Sequence, residues 1–140
     1  SHVTRKLKPS VGALTFDVAV NSMDELPSLM KQADVISLHV PLIESTKGFI
    51  DAEKLGWMKN GAALVNTARG PIVDEFALFE EIKSGRLRAA FDVFWEEPYN
   101  GKLKHYHPSN FLMSPHVSSN CENFLTGLAQ DLTNFLNRND

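Results

Sequence analysis

One cysteine, Cys121, stands among the 140 residues, so no internal disulfide can staple the chain. Its histidines and cysteine also lack the spacing of a zinc site, and a reducing compartment is the expected setting. Long hydrophobic runs are missing. No apolar stretch approaches the roughly 18 residues of a membrane span, and residues 1–6 lack the apolar core of a signal peptide. The cytoplasm is the expected location. Positive charge is in deficit, with 14 Lys and Arg against 17 Asp and Glu and a formal net charge of −3. That balance argues against nucleic acid as a partner, although Arg5, Lys6 and Lys8 form a small basic cluster. The eight glycines never fall into Gly-x-Gly-x-x-Gly, so the chain encodes no phosphate-cradling turn of that kind.

What is present is a globular composition, 43% apolar, long enough for one domain with its own core. Short β-branched runs alternate with amphipathic stretches, the pattern of an α/β protein whose parallel sheet is covered on both faces. A strand is expected over Leu14 to Val20. Ser22 with Glu25 forms a capping box that opens a helix to about Gln32, with Pro27 tolerated near its start. Val35 to Val40 reads as a buried strand closed by Pro41. Asp51 caps a helix through Met58, ended by Asn60-Gly61. The strand Ala62 to Asn66 leads through Thr67 to Gly70 to Asp74, the cap of a helix from Glu75 to Ser84 that Gly85 ends. Strands at Arg88 to Val93 and Asn110 to Met113 flank an irregular loop, Tyr99 to Ser109. From Cys121 to Leu136 apolar residues recur at helical spacing.

Three residues sit just past the ends of strands: Arg69, Glu97 and His116. Ligands of open α/β sheets collect at the carboxyl ends of the strands, so a guanidinium, a carboxylate and an imidazole are expected to converge there. Their chemistry is anion binding plus proton transfer. Glu97 is favoured over Glu96 because it directly precedes Pro98. His105 and His107 form a His-x-His without a partner ligand, which favours a solvated loop over a metal site. Trp57 is expected in the core and Trp95 in the substrate crevice. Cys121 reads as structural, in the first turn of the last helix.

Four linked motifs occur in order: Ala33-Asp34-Val35-Ile36-Ser37-Leu38-His39-Val40-Pro41-Leu42 with Thr46; Leu64-Val65-Asn66-Thr67-Ala68-Arg69-Gly70 with Val73-Asp74-Glu75; Asp92-Val93-Phe94 with Glu97-Pro98; and Ser114-Pro115-His116. From about Met23 to Leu136 the chain resembles the nucleotide-binding domain of the D-isomer-specific 2-hydroxyacid dehydrogenases. The resemblance implies a Rossmann-like, doubly wound parallel sheet that is truncated. The glycine-rich turn and the substrate domain of the family are absent, so residues 1–140 read as an incomplete nicotinamide-dinucleotide-binding domain of a larger dehydrogenase, inactive alone.

The resemblance also implies roles. Arg69 grips the carboxylate of a small 2-oxo or 2-hydroxy acid such as glyoxylate or hydroxypyruvate. His116 is the acid/base, and Glu97 fixes its tautomer. Asp92 meets the nicotinamide carboxamide, with Thr67 and Ala68 against the same ring. His39, Val40 and Pro41 contact the ribose and adenine side, Thr46 closes their loop, and Ser118 stands where the family has small glycines beside the nicotinamide. The cofactor is NAD(P), and Arg5 with Lys6 near the usual ribose-binding acid leans the choice to NADP(H). A missing central strand leaves edges to be covered by a homodimer partner or a companion fragment. A catalytically silent, nucleotide-sensing corepressor-like module and an assembly domain are the alternatives; the presence of all three catalytic side chains favours an enzyme.

Overall fold

The computed structural model describes residues 22–117, together with residues 10–11, 14–15 and 133. Ser10–Val11 (β1) and Leu14–Thr15 (β2) pair with each other in antiparallel fashion. The expected strand over Leu14 to Val20 is thus corrected in its described part: Leu14–Thr15 closes a short hairpin and does not join the main sheet.

That sheet has four parallel strands in sequence order, Val35–Leu38 (β3), Ala63–Asn66 (β4), Arg88–Phe91 (β5) and Phe111–Met113 (β6). Helix Leu26–Gln32 (α1) precedes β3, Ala52–Trp57 (α2) connects β3 to β4, and Glu75–Lys83 (α3) connects β4 to β5. The α/β expectation holds, and α2 and α3 begin where their caps predict, whereas the Ser22–Glu25 box opens a 3-10 turn, Met23–Glu25, and α1 starts after it at Leu26. The Glu25 carboxylate accepts the Ser22 amide at 3.0 Å, Asp51 accepts Lys54 N–H at 2.9 Å, and Asp74 accepts Ala77 N–H at 2.8 Å. Gly61 and Gly85 follow α2 and α3 with φ of 81° and 75°, a conformation other residues adopt at a cost. At the end of α2, Arg86 donates to the carbonyls of Met58 and Leu55, both at 2.7 Å, and so satisfies acceptors the helix leaves open.

All four residues of β4 are buried, as a strand covered on both faces requires. Leu64, Ala89, Phe91 and Phe111 enter one core with Leu55, Ile72, Leu78, Ile82 and Leu87. Each large side chain buried there stabilises the fold by about 1.5–3 kcal/mol. Trp57 packs half-buried against this core. The stretch expected as an irregular loop contains a 3-10 helix, Lys102–Tyr106. Leu103 is fully buried and Tyr106 meets Phe79 edge-on at 6.1 Å, so the i, i+3 spacing of a three-residue turn points both inward.

Candidate active site

Register sets the geometry of the site. Leu38 pairs with Asn66, Asn66 with Phe91, and Phe91 with Met113, so the last residues of all four strands lie on one line across the sheet. Every strand runs the same way. The segments leaving that line, from His39, Thr67, Asp92 and Ser114, therefore form a single rim.

Two predicted residues meet directly on it. His116 Nδ1 lies 2.9 Å from Glu97 Oε2 and 3.0 Å from Oε1. The carboxylate also accepts the Phe94 amide at 3.2 Å. The hydrogen bond from His116 is the main reason its pKa is held below the ordinary carboxylate value, with the Phe94 amide adding to it. Because a carboxylate at Nδ1 can only accept, the proton sits on Nδ1 and the far nitrogen, Nε2, is the one left able to exchange a proton. The His116 backbone has φ 53°, in the left-handed region. That conformation costs a non-glycine residue about 1–2 kcal/mol and is held by the His116 amide donating to Ser114 O at 3.0 Å and the Val117 amide donating to Asp92 Oδ1 at 3.1 Å.

Arg69 is exposed at the end of the next segment, and its guanidinium donates to the Ala68 carbonyl at 2.6 Å. The loop beneath it is held by Asn66. Asn66, fully buried, donates to Arg69 O at 2.9 Å and accepts the Ala68 amide at 3.0 Å, so one amide side chain holds the loop at both Ala68 and Arg69. Gly70 is buried against the backbone of Phe94 and Trp95, where any Cβ would overlap the Phe94 carbonyl. This close approach ties the Arg69 loop to the segment that carries Glu97.

The three expected catalytic residues do not line one cavity. Glu97 and His116 border a cavity of about 670 Å³ with Phe94, Tyr99, Lys104, His107 and Met113. Arg69 borders a second, of about 490 Å³, with His39, Val40, Pro41, Thr67 and Ala68. A slot of about 20 Å³ lined by Val65, Asp92, Thr67 and Ser114 lies between them, sharing Thr67 with one and Ser114 with the other. The crevice is thus divided along the rim.

Asp92 is buried and accepts the Ser114 hydroxyl at 2.6 Å. His39 Nε2 lies 2.8 Å from Ser37 Oγ. Thr46 closes the loop after β3 by donating to Pro41 O at 2.7 Å and accepting the Ile43 amide at 2.9 Å. Trp95 is corrected: it does not face the crevice, but donates to Val73 O at 2.7 Å and stacks on Phe91. Phe94 and Tyr99 take its place on the cavity wall. Arg5, Lys6, Ser118, Cys121 and the helix expected through Leu136 lie outside the described residues.

The family model for the D-isomer specific 2-hydroxyacid dehydrogenase NAD binding domain matches residues 3–118. The chain belongs to this family. It is 44% identical over 106 residues to the hydroxypyruvate reductase of Thermotoga maritima, covering 74% of this chain and 34% of that protein. To the glycerate dehydrogenase of Methylorubrum extorquens it is 44% identical over 109 residues, covering 75% and 35%. A D-isomer specific 2-hydroxyacid dehydrogenase from Xanthobacter autotrophicus Py2, solved in complex with NADPH and MES, superposes with a TM-score of 0.65 at 33% identity, over 80% of this chain and 46% of that one. The chain therefore spans about a third of the length of the relatives it matches.

Within the D-isomer specific 2-hydroxyacid dehydrogenase frame, the residues that sequence reasoning underrated are the supports. Asn66 and Ser114 were visible only as motif members, and their roles depend on which atoms they reach. A polar residue closing an otherwise apolar strand, as Asn66 does after Ala63-Leu64-Val65, is the signal that could have found the first.

Proposed function

We propose that this chain is the nicotinamide-dinucleotide-binding domain of a longer dehydrogenase that interconverts small 2-oxo and 2-hydroxy acids, such as glyoxylate or hydroxypyruvate, with their reduced forms. The observation that carries the reading is the His116–Glu97 pair at 2.9 Å on the rim of a parallel sheet. Family membership supports it.

The cofactor would lie along the hollow beside β3 and β4. Thr67 and Ala68 offer it a wall, the loop His39-Val40-Pro41 offers backbone groups, and Asp92 lies at its inner end. Exposed apolar Val40 and Leu42 suit a flat ring, so these residues fit a dinucleotide. When bound in reduced form it would supply a hydride. We infer NADP(H) over NAD(H), because Arg5 and Lys6 supply cations where an acid would accept ribose hydroxyls.

His116 holds a proton on Nε2 and donates it to the substrate oxygen on which negative charge develops; Glu97 offsets the charge change on the ring. Arg69 binds the substrate carboxylate through its planar fork and stabilises that developing charge more than the ground state. To do so its side chain leaves the Ala68 carbonyl and reaches across the slot between the cavities. Steady-state reduction of glyoxylate and hydroxypyruvate by the full-length protein, with NADPH and NADH compared, tests the proposal. NADPH-dependent turnover abolished by His116→Ala is expected; absence of turnover with either nicotinamide refutes it, and a strong NADH preference refutes the cofactor choice.

A further inference from the structure

The larger cavity holds more than the acid/base pair. Its walls are Phe94, Pro98, Tyr99, Met113 and Pro115, and Lys104 and His107, from the 3-10 helix and the residue after it, also line it. Among the described residues no carboxylate pairs with Lys104, whose ammonium donates only to the neutral Asn100 Oδ1 at 3.2 Å. The single carboxylate on the cavity wall, Glu97, is committed to His116. His107 accepts the Met113 amide on Nδ1 at 3.1 Å, so its neutral ring carries the proton on Nε2 and keeps one donor. A cation and a donor thus share an apolar-walled cavity with a proton-transfer pair, without an anion to meet them.

We propose that Lys104 and His107 form a subsite for a second anionic group, carried by the substrate beyond its 2-oxo acid end. This rests on the reductase reading of the His116–Glu97 pair and deepens it. The 2-oxo group stands at His116, the intervening carbons lie against Phe94, Tyr99 and Met113, and the distal carboxylate or comparable anion receives hydrogen bonds from Lys104 and His107. The preferred substrate class is the 2-oxo dicarboxylate, in place of a 2-oxo acid ending in a methyl or aromatic group. Lys104 and His107 are exposed, so a distal anion gains a solvent-screened ion pair and hydrogen bond there, which an apolar wall alone does not offer.

Paired substrates of equal chain length make the test. With the full-length protein, kcat/KM is measured for 2-oxoglutarate and 2-oxopentanoate, which differ in the terminal carboxylate, alongside glyoxylate. The expected wild-type ratio favours the dicarboxylate by about fivefold. Lys104→Met is expected to collapse the ratio toward one, and Lys104→Arg to retain most of it. Both acids are assayed on one preparation, so the ratio does not depend on the folded fraction. A ratio at or below one in the wild type, a ratio unmoved in Lys104→Met, or turnover of glyoxylate alone overturns the subsite while leaving the reductase standing. Failure to reduce any 2-oxo acid overturns both.

Discussion

The Asp92 carboxylate and the Ser114 hydroxyl meet at 2.6 Å at the root of the His116 loop. The same oxygen accepts the Val117 amide at 3.1 Å, so Asp92 grips the His116 loop on both flanks. Ser114→Ala removes one grip and leaves His116 chemically unaltered. A roughly tenfold fall in kcat is expected, the lower end of the range for loss of a hydrogen bond to a charged group. Turnover assays with an unchanged KM for the keto acid check it; an unaltered kcat counts against the support role.

The pH response of the Glu97–His116 pair has a defined direction. The Glu97 pKa is lowered in the folded protein, chiefly by the hydrogen bond from His116. Its contribution to stability is therefore fully present above the unfolded carboxylate value and lost as pH falls through the lower, folded one. Urea denaturation of wild type and Glu97→Gln across acid pH should give midpoints that differ near neutrality and converge in acid. Midpoints that diverge as pH falls would reverse the assignment.

Arg69 should not be replaceable by lysine. A planar fork binds a carboxylate through two parallel bonds, and an ammonium cannot. Arg69→Lys is expected to lower kcat/KM by about a hundredfold, the scale for losing a well-placed donor to developing charge. Asn66→Ala should produce part of that loss without touching substrate, since Asn66 holds the Arg69 carbonyl at 2.9 Å. Equal kinetics in Asn66→Ala and wild type would show that the loop stays in place without its clamp.

Gly70 is a steric prediction. A Cβ at this position would overlap the Phe94 carbonyl carbon and oxygen, which are main-chain atoms and cannot swing aside. Gly70→Ala should cost about 1–3 kcal/mol, as overpacking does, and should separate the Arg69 loop from the Glu97 segment. Chemical denaturation measures the first effect and the keto-acid KM the second.

Association follows from β3. Among the described residues it pairs only with β4, and Val35 is 38% exposed. Exposed Met23, Leu29, Val40, Leu42 and Ile43 lie on the neighbouring segments of the chain. An uncovered strand edge beside apolar surface recruits another strand. Sedimentation of the 140-residue chain is expected to show dimers or larger species; a monomer with an intact regular sheet at high concentration would contradict this.

Local chemistry explains what could be read without coordinates. The caps Asp51 and Asp74, the glycines that end helices, and the apolar runs of β3, β4 and β5 all act within a few residues, so their spacing discloses them. The pairing of Glu97 with His116 was legible as well, because strand ends in a parallel sheet share one rim. Direction was not. Whether Trp95 faces the crevice or hydrogen-bonds Val73, and whether Arg69 opens into the same cavity as His116, depends on loop paths set by distant backbone such as the Gly70–Phe94 contact. The 3-10 helix was hidden for another reason: Leu103 and Tyr106 make a single apolar repeat, too brief to stand out beside Pro98 and Pro108.

The alignment of Leu38, Asn66, Phe91 and Met113 acts as a ruler for the whole upper surface. Segments between strands can lengthen or shorten without altering it, so added residues around Asn100 to Ser109 would reshape the pocket and leave the imidazole at its height. Removing one residue between Phe111 and His116 would instead drop the ring by about 3.3 Å and turn alternate side chains to the opposite face. The shape of the cavity is therefore open to the connections, while the height of the His116 ring is tied to the count of residues in a three-residue strand.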